Sequence, residues 1–135
     1  MENLINIHHY ARHDIFLDII YDVDVKKEAS DNTYVVSKNE IIKISEEIFS
    51  KYPERRNLEL TFIGFDSIPE DLEINLPKLY WLKLQCHGVV KTLPENLFSK
   101  LENLGVLCIS HIGLETLPEN IFHNLKKLKV LRFGV

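Results

Sequence analysis

An internal repeat of about 24 residues restricts the fold of this chain more than any other feature of its sequence. Residues 93–101 (LPENLFSKL) recur 24 positions later as residues 117–125 (LPENIFHNL). The strand-like segment 104–109 (LGVLCI) returns 24 positions later as 128–133 (LKVLRF). A similar segment, 79–84 (LYWLKL), lies 25 positions before residues 104–109, so one residue is inserted near 88–90. Two more divergent copies come first. The predicted repeat starts are therefore Asp31, Arg55, Leu79, Leu104 and Leu128, and the last copy is only a strand long.

Each copy contains a short strand with one apolar face. Two apolar residues lie two positions apart in each strand and therefore face the same way. A strand of this kind cannot bury its apolar face alone, so stacked copies are expected to form one parallel sheet over a continuous core. The inward pairs are Leu58 and Leu60, Leu82 and Leu84, Leu107 and Ile109, and Leu131 and Phe133.

The pattern L-x-x-L-x-L-x-x-N-x-L-x-x-L-P-x-x-x-F-x-x-L resembles the leucine-rich repeat over residues 31–135. The resemblance implies an α/β fold, in which a solenoid carries a curved parallel β-sheet and short helical or irregular convex segments. The chain departs from the family at the consensus asparagine. That residue is assigned only to Asn39, while the later copies have Ile63, His87 and Ile112 there, so the bends need other hydrogen-bond partners.

The two ends of the chain do not follow the repeat. Residues 1–30 are expected to form a β-hairpin-like cap, because residues 14–25 alternate apolar and acidic side chains; a helix is the alternative. The last strand has no such cap, and a free edge invites pairing. Three explanations remain open: a longer chain, a homodimer through this C-terminal edge strand, or a tolerated free edge.

Composition excludes several classes of function. The chain has 135 residues, 45% of them hydrophobic, and a formal net charge of −4. This balance argues against disorder and against nucleic-acid binding, which needs a basic stripe. No apolar run is long enough to span a membrane, and no signal peptide is visible. The two cysteines are expected to be reduced thiols, so a cytoplasmic location is expected.

The outward positions of the strands form the concave face, which is the usual contact face of proteins that this chain resembles. Trp81, flanked by Tyr80, is the leading candidate for a contact residue, because tryptophan and tyrosine dominate interface hot spots. The alternative is that Trp81 leans on its neighbours Val106 and Asn57 and only covers the sheet. We expect a Trp81→Ala change to weaken partner binding by roughly 2 kcal/mol and to leave the fold intact. The candidate partner-binding residues are Trp81, Tyr80, Lys83, Gln85, Glu59, Thr61, Val106, Cys108 and Arg132.

No catalytic residues, cofactor or metal site are predicted. Cys108 lies between Lys83 and Arg132 in its row, and two cations could lower the pKa of its thiol. His111 is too far along the strand to act as its base, so a bystander thiol is favoured. His9 and His13 lack the glutamate that a zinc site of that spacing needs.

The sequence therefore predicts a non-catalytic module that binds a protein or peptide. The alternative is a dedicated cytosolic inhibitor or immunity-type protein that neutralises one toxin or enzyme.

Overall fold

Five parallel strands form the main sheet in the part of the chain that the computed structural model describes, which is residues 4–6, 32–110 and 113–134. The strands of the described residues are β1 Leu4–Asn6, β2 Thr33–Ser37, β3 Asn57–Phe65, β4 Trp81–Gly88, β5 Val106–Ser110, β6 Thr116–Pro118 and β7 Val130–Gly134. The main sheet has the order β2-β3-β4-β5-β7, and the short strands β1 and β6 pair with each other antiparallel. A mostly parallel sheet with little helix belongs to the α/β-like class that the sequence predicts.

The register of the sheet aligns residues that are 24 or 25 positions apart. Leu58 lies beside Leu82, Leu82 beside Leu107, and Leu107 beside Leu131. Side chains of one row thus lie on the same face, and all four leucines are buried in the main core. The predicted pairing of β3, β4, β5 and β7 is confirmed. The predicted inward residues are buried too, with Phe133 partly so.

The first strand of the sheet is offset from the predicted alignment. Thr33 lies beside Glu59, which is 26 residues away, whereas a 24-residue shift would place it beside Asn57. A shift of two residues keeps every side chain on its own face of the sheet. Val36 therefore still faces the main core, beside Phe62.

The same offset makes the assignment of the consensus asparagine wrong. Ser37, and not Asn39, lies beside Ile63. Asn39 lies in the exposed 3-10 turn Lys38–Glu40 that follows β2. Asn39 is thus not aligned with Ile63, and it does not occupy the position that the repeat pattern gives to asparagine.

Glycines with positive φ lie at or near the C-terminal ends of three strands: Gly64 is the last residue but one of β3, Gly88 is the last residue of β4, and Gly113 comes three residues after the end of β5. Gly64, Gly88 and Gly113 have φ angles of 75°, 122° and 92°, a region that other residues rarely adopt. Each follows directly after one of the positions where the asparagine is missing. A Cβ atom on Gly113 would lie 3.0 Å from the carbonyl oxygen of Gly88, so successive bends are closely packed. In the sequence, the signal for these bends was the recurrence of glycine at positions 64, 88 and 113, which are 24 and 25 residues apart.

The connections between strands complete the core on one side of the sheet. After β2 the chain forms the turn Lys38–Glu40, an α-helical turn at Ile41–Lys43 and a π-helical turn at Ile44–Phe49, which buries Ile44, Ile48 and Phe49. The later connections consist mostly of turns, with β6 in the last of them, and the rings of Phe98 and Phe122 stack there with centroids 6.2 Å apart. No helix in the described part of the chain has the length and apolar character needed to cross a membrane.

The ends of the chain are described only in part. The predicted strand at residues 14–25 lies outside the described residues. Leu4–Asn6 pairs with Thr116–Pro118, and so does not lie against β2. None of the described strands pairs with the outer edge of β7, and pairing of two copies at this edge stays a prediction.

A close approach between Tyr80 and Gly105 joins the starts of β4 and β5. The amide of Gly105 donates to the carbonyl of Tyr80 over 2.8 Å. A Cβ atom on Gly105 would lie 2.7 Å from Cζ of the Tyr80 ring, so only glycine leaves room for the ring.

We expect Gly105→Ala to destabilise the fold by about 1–3 kcal/mol, because the new methyl group overlaps the Tyr80 ring. Urea unfolding of the single variants and of the double variant with Tyr80→Ala measures the coupling. The cost of Gly105→Ala should largely disappear in the Tyr80→Ala background. An equal cost in both backgrounds would contradict the overlap.

Candidate functional site

The candidate partner-binding residues form rows across the sheet, on the face opposite the main core. Glu59, Lys83, Cys108 and Arg132 occupy successive strands in one row. Thr61, Gln85, Ser110 and Gly134 form the next row. Adjacent strands are about 4.8 Å apart, so the residues of each row are near neighbours. The structure therefore brings these predicted residues together.

The two rows are partly open to solvent. Glu59, Lys83 and Cys108 are half-buried, and Arg132 is exposed at the end of its row. Thr61 and Gln85 are also half-buried. These two rows thus present acidic, basic and uncharged polar groups on one face, which we call the polar rows.

The row that contains Trp81 is different, because it is buried. Trp81 is only 7% exposed, and it packs with Val106, Val130 and Cys108 in a second apolar cluster. Large apolar side chains on adjacent strands bury each other's surface. The expectation that Trp81 and Val106 are exposed contact residues is therefore wrong. Tyr80 precedes β4 and is 36% exposed.

The burial of Trp81 reverses the expected effect of its removal. We expect Trp81→Ala to lower the free energy of unfolding by about 3 kcal/mol, because it leaves a cavity beside Val106 and Val130. Urea unfolding followed by circular dichroism measures this. Ile42→Ala is the control, because Ile42 is 73% exposed, and its cost should stay below about 0.5 kcal/mol. A similar small cost for Trp81→Ala would contradict the second cluster.

Both cysteines are free thiols. Burial raises the pKa of the Cys108 thiol, and the nearby Lys83 ammonium acts in the opposite direction. Burial raises the pKa of the Cys86 thiol further, to about 12. The two cations around Cys108 thus do not produce the low pKa that a reactive thiol requires.

The raised pKa of Cys86 predicts a loss of stability at high pH. The unfolded chain loses this thiol proton near pH 9, whereas the folded chain keeps it up to about pH 12. The unfolded state therefore binds fewer protons in this range, and the free energy of unfolding falls as pH rises. The slope from Cys86 can reach about 1.4 kcal/mol per pH unit.

Urea unfolding between pH 8 and 10.5 tests this for the wild-type chain and Cys86→Ala. The variant should show a shallower decline than the wild type. Val90→Ala is the matched control, because Val90 is equally buried and does not titrate. If all three chains declined with the same slope, Cys86 would not be the cause.

In the part of the chain that the structure describes, no group of three or more histidine, cysteine or acidic residues comes together. His8, His9 and His13, together with the aspartates of residues 14–24, lie outside the described residues. His111, considered above as a base for Cys108, also lies outside them.

A buried arginine is one feature that sequence reasoning missed. Arg55 is 9% exposed and donates to the Oδ1 of Asn32 over 2.6 Å and to the hydroxyl of Tyr34. Its guanidinium lies over the rings of Tyr34 and Tyr52, 4.8 and 4.7 Å from their centroids. Arg55 therefore ties the start of β3 to β2, and a cavity of about 450 Å³ lies beside it. Nothing in the spacing of the repeat signalled this contact.

A basic groove along the strand starts is the second feature that was missed. It has a volume of about 680 Å³. Its position follows from the fold, because the residues before parallel strands meet at one edge of the sheet. The sequence signal that could have indicated this groove was the recurrence of polar residues at positions 78, 103 and 127. The groove is lined by Arg56, Lys78, Tyr80, Asn103, Lys126, Lys127, Leu128 and Lys129.

Comparison of the chain with models of protein families, with curated proteins and with solved structures finds no match in any of the three. The function is therefore argued from the residues and their arrangement.

Proposed function

We propose that the chain is a leucine-rich repeat solenoid that binds a protein or peptide partner and has no catalytic role. The observation that carries the proposal is the register of the sheet. Residues 24 or 25 apart lie side by side from β3 to β7, as stacked copies of one unit would place them. The hydrogen bonds at the strand starts repeat in the same way. The backbone carbonyls of Arg56, Tyr80 and Gly105 each accept hydrogen bonds from two consecutive backbone amides of the next copy.

The proposed contact surface is the pair of polar rows. Strands fixed by their neighbours hold these side chains in place, so binding costs little further ordering. The whole face of the sheet, with five strands about 4.8 Å apart and each about five residues long, has an area of roughly 350 Å², and the polar rows occupy only part of it. A standard interface buries about 800 Å² on each partner. The proposed partner is therefore a peptide or a small epitope, or one that also contacts the rim of the sheet.

The two free cysteines fit a reducing compartment, and we propose a cytoplasmic location on this ground.

Affinity purification with the tagged chain, followed by mass spectrometry and calorimetry with the purified partner, tests the function. The test variant is Lys83→Ala/Arg132→Ala, which removes two cations from the polar rows. We expect the affinity for the partner to fall at least tenfold, which corresponds to about 1.4 kcal/mol.

The matched control is Lys91→Ala/Lys100→Ala. It removes two cations outside the strands, where each forms an exposed ion pair, with Glu115 and Glu73 respectively. Its affinity should stay within twofold of the wild type. A partner bound equally by both variants would move the site away from the polar rows, and no specific partner at all would contradict the function. A single stoichiometric partner whose own activity is blocked would identify the chain as a dedicated inhibitor.

A further inference from the structure

The basic groove carries an inference that does not rest on the polar rows. Five cationic side chains line it, in a chain whose formal net charge is −4. Charges of one sign gathered in a cleft attract ligands of the opposite sign. The five cations are Arg56, Lys78, Lys126, Lys127 and Lys129.

Two of these cations contact residues of the preceding repeat copy in the same chain. Lys78 forms an ion pair with Glu54, and Lys127 donates to the Oδ1 of Asn103 over 2.8 Å. The side-chain Nδ2 of Asn103 in turn donates to the backbone carbonyl of Pro77 over 2.8 Å. These contacts join positions that are 24 to 26 residues apart and fix the wall of the groove.

The other cations are available to a ligand. Arg56, Lys126 and Lys129 are exposed, and none of them forms an ion pair with a described residue. Arg56 and Lys129 lie on either side of Tyr80 and Gly105 along the strand starts, because the carbonyls of Arg56, Tyr80 and Gly105 accept from successive strands. Tyr80 and Leu128 add apolar surface between the cations.

We propose that this groove binds an extended acidic segment of a protein partner. From β3 to β7 the groove crosses three strand spacings, which is roughly 14 Å. Side chains at alternate positions of an extended peptide face the same way, so two carboxylates four positions apart span about the same length, with one more side chain of that face between them. The exposed ring of Tyr80 would contact that central side chain where it is apolar.

An acidic peptide fits the groove better than a nucleic acid does. Nucleic-acid backbones carry closely spaced charges over their whole length and need a long basic stripe. This groove is short, and the chain outside it is acidic overall, so a long polyanion would be repelled beyond the groove. Within the groove, lysine ammonium groups form ordinary ion pairs with carboxylates.

Fluorescence anisotropy with a labelled nonapeptide tests the proposal. The peptide has the sequence EAEAFAEAE, so the central phenylalanine faces the same way as the glutamates. A second peptide has glutamine in place of every glutamate. The glutamate peptide should bind at least tenfold more tightly than the glutamine peptide. Raising the salt concentration from 50 to 500 mM should weaken its binding by a similar factor, because exposed ion pairs are screened.

The test variant is Arg56→Glu/Lys129→Glu, and the matched control is Lys91→Glu/Lys100→Glu, which changes the net charge of the chain by the same amount. The test variant should lose at least tenfold in affinity for the glutamate peptide, and the control less than threefold. Circular dichroism checks that both fold. If the charge reversals unfold the chain, Arg56→Ala/Lys129→Ala replaces the test variant, with a loss of at least fivefold expected.

The outcomes separate this proposal from the proposed function. Lys83→Ala/Arg132→Ala should bind the glutamate peptide like the wild type, because it leaves the groove unchanged. Equal binding by the test variant and its control would overturn the proposal, as would equal binding of the two peptides. Tighter binding of a twelve-nucleotide single-stranded DNA than of the glutamate peptide would overturn it in favour of a nucleic-acid site.

Discussion

The parallel pairing of strands at a fixed register is the constraint on which the rest of the structure depends. Because Leu58, Leu82, Leu107 and Leu131 share one row, each copy covers the apolar face of the next one. The same register gathers whatever residue type recurs at the other positions. A row of leucines becomes the core, a row with Trp81 becomes a second apolar cluster, and recurring polar residues become the wall of a groove.

The bends show how this chain maintains the register without the consensus asparagine. Gly64, Gly88 and Gly113 adopt positive φ at or near the C-terminal ends of β3, β4 and β5. A left-handed glycine turns the backbone sharply and lets successive bends approach closely, since no Cβ atom separates them. Gly105 serves a different purpose, which is to leave room for the ring of Tyr80. The positive φ angles of Gly64, Gly88 and Gly113 thus shape the backbone directly after the positions where the repeat pattern has an asparagine.

The distribution of apolar residues on both faces of the sheet decides where a partner can bind. Strand alternation places Trp81 opposite the main core, but alternation alone does not say whether that face is covered. The structure buries Trp81 to 7% exposure, and the exposed groups remain in the polar rows and at the strand starts. The surface open to a partner is therefore more polar, and closer to the rim, than a tryptophan-centred site would be.

The sequence by itself determined the sheet, its parallel direction, its inward residues and the rows from β3 to β7, because these follow from local periodicity and the distance between copies. It did not determine the offset of β2, where the copy is too divergent to align and a two-residue shift preserves the faces. Tertiary structure alone decided the burial of Trp81, the contacts of Arg55 and the assembly of the basic groove. Each of these depends on side chains from distant copies meeting in space, and no single copy of the repeat contains that information.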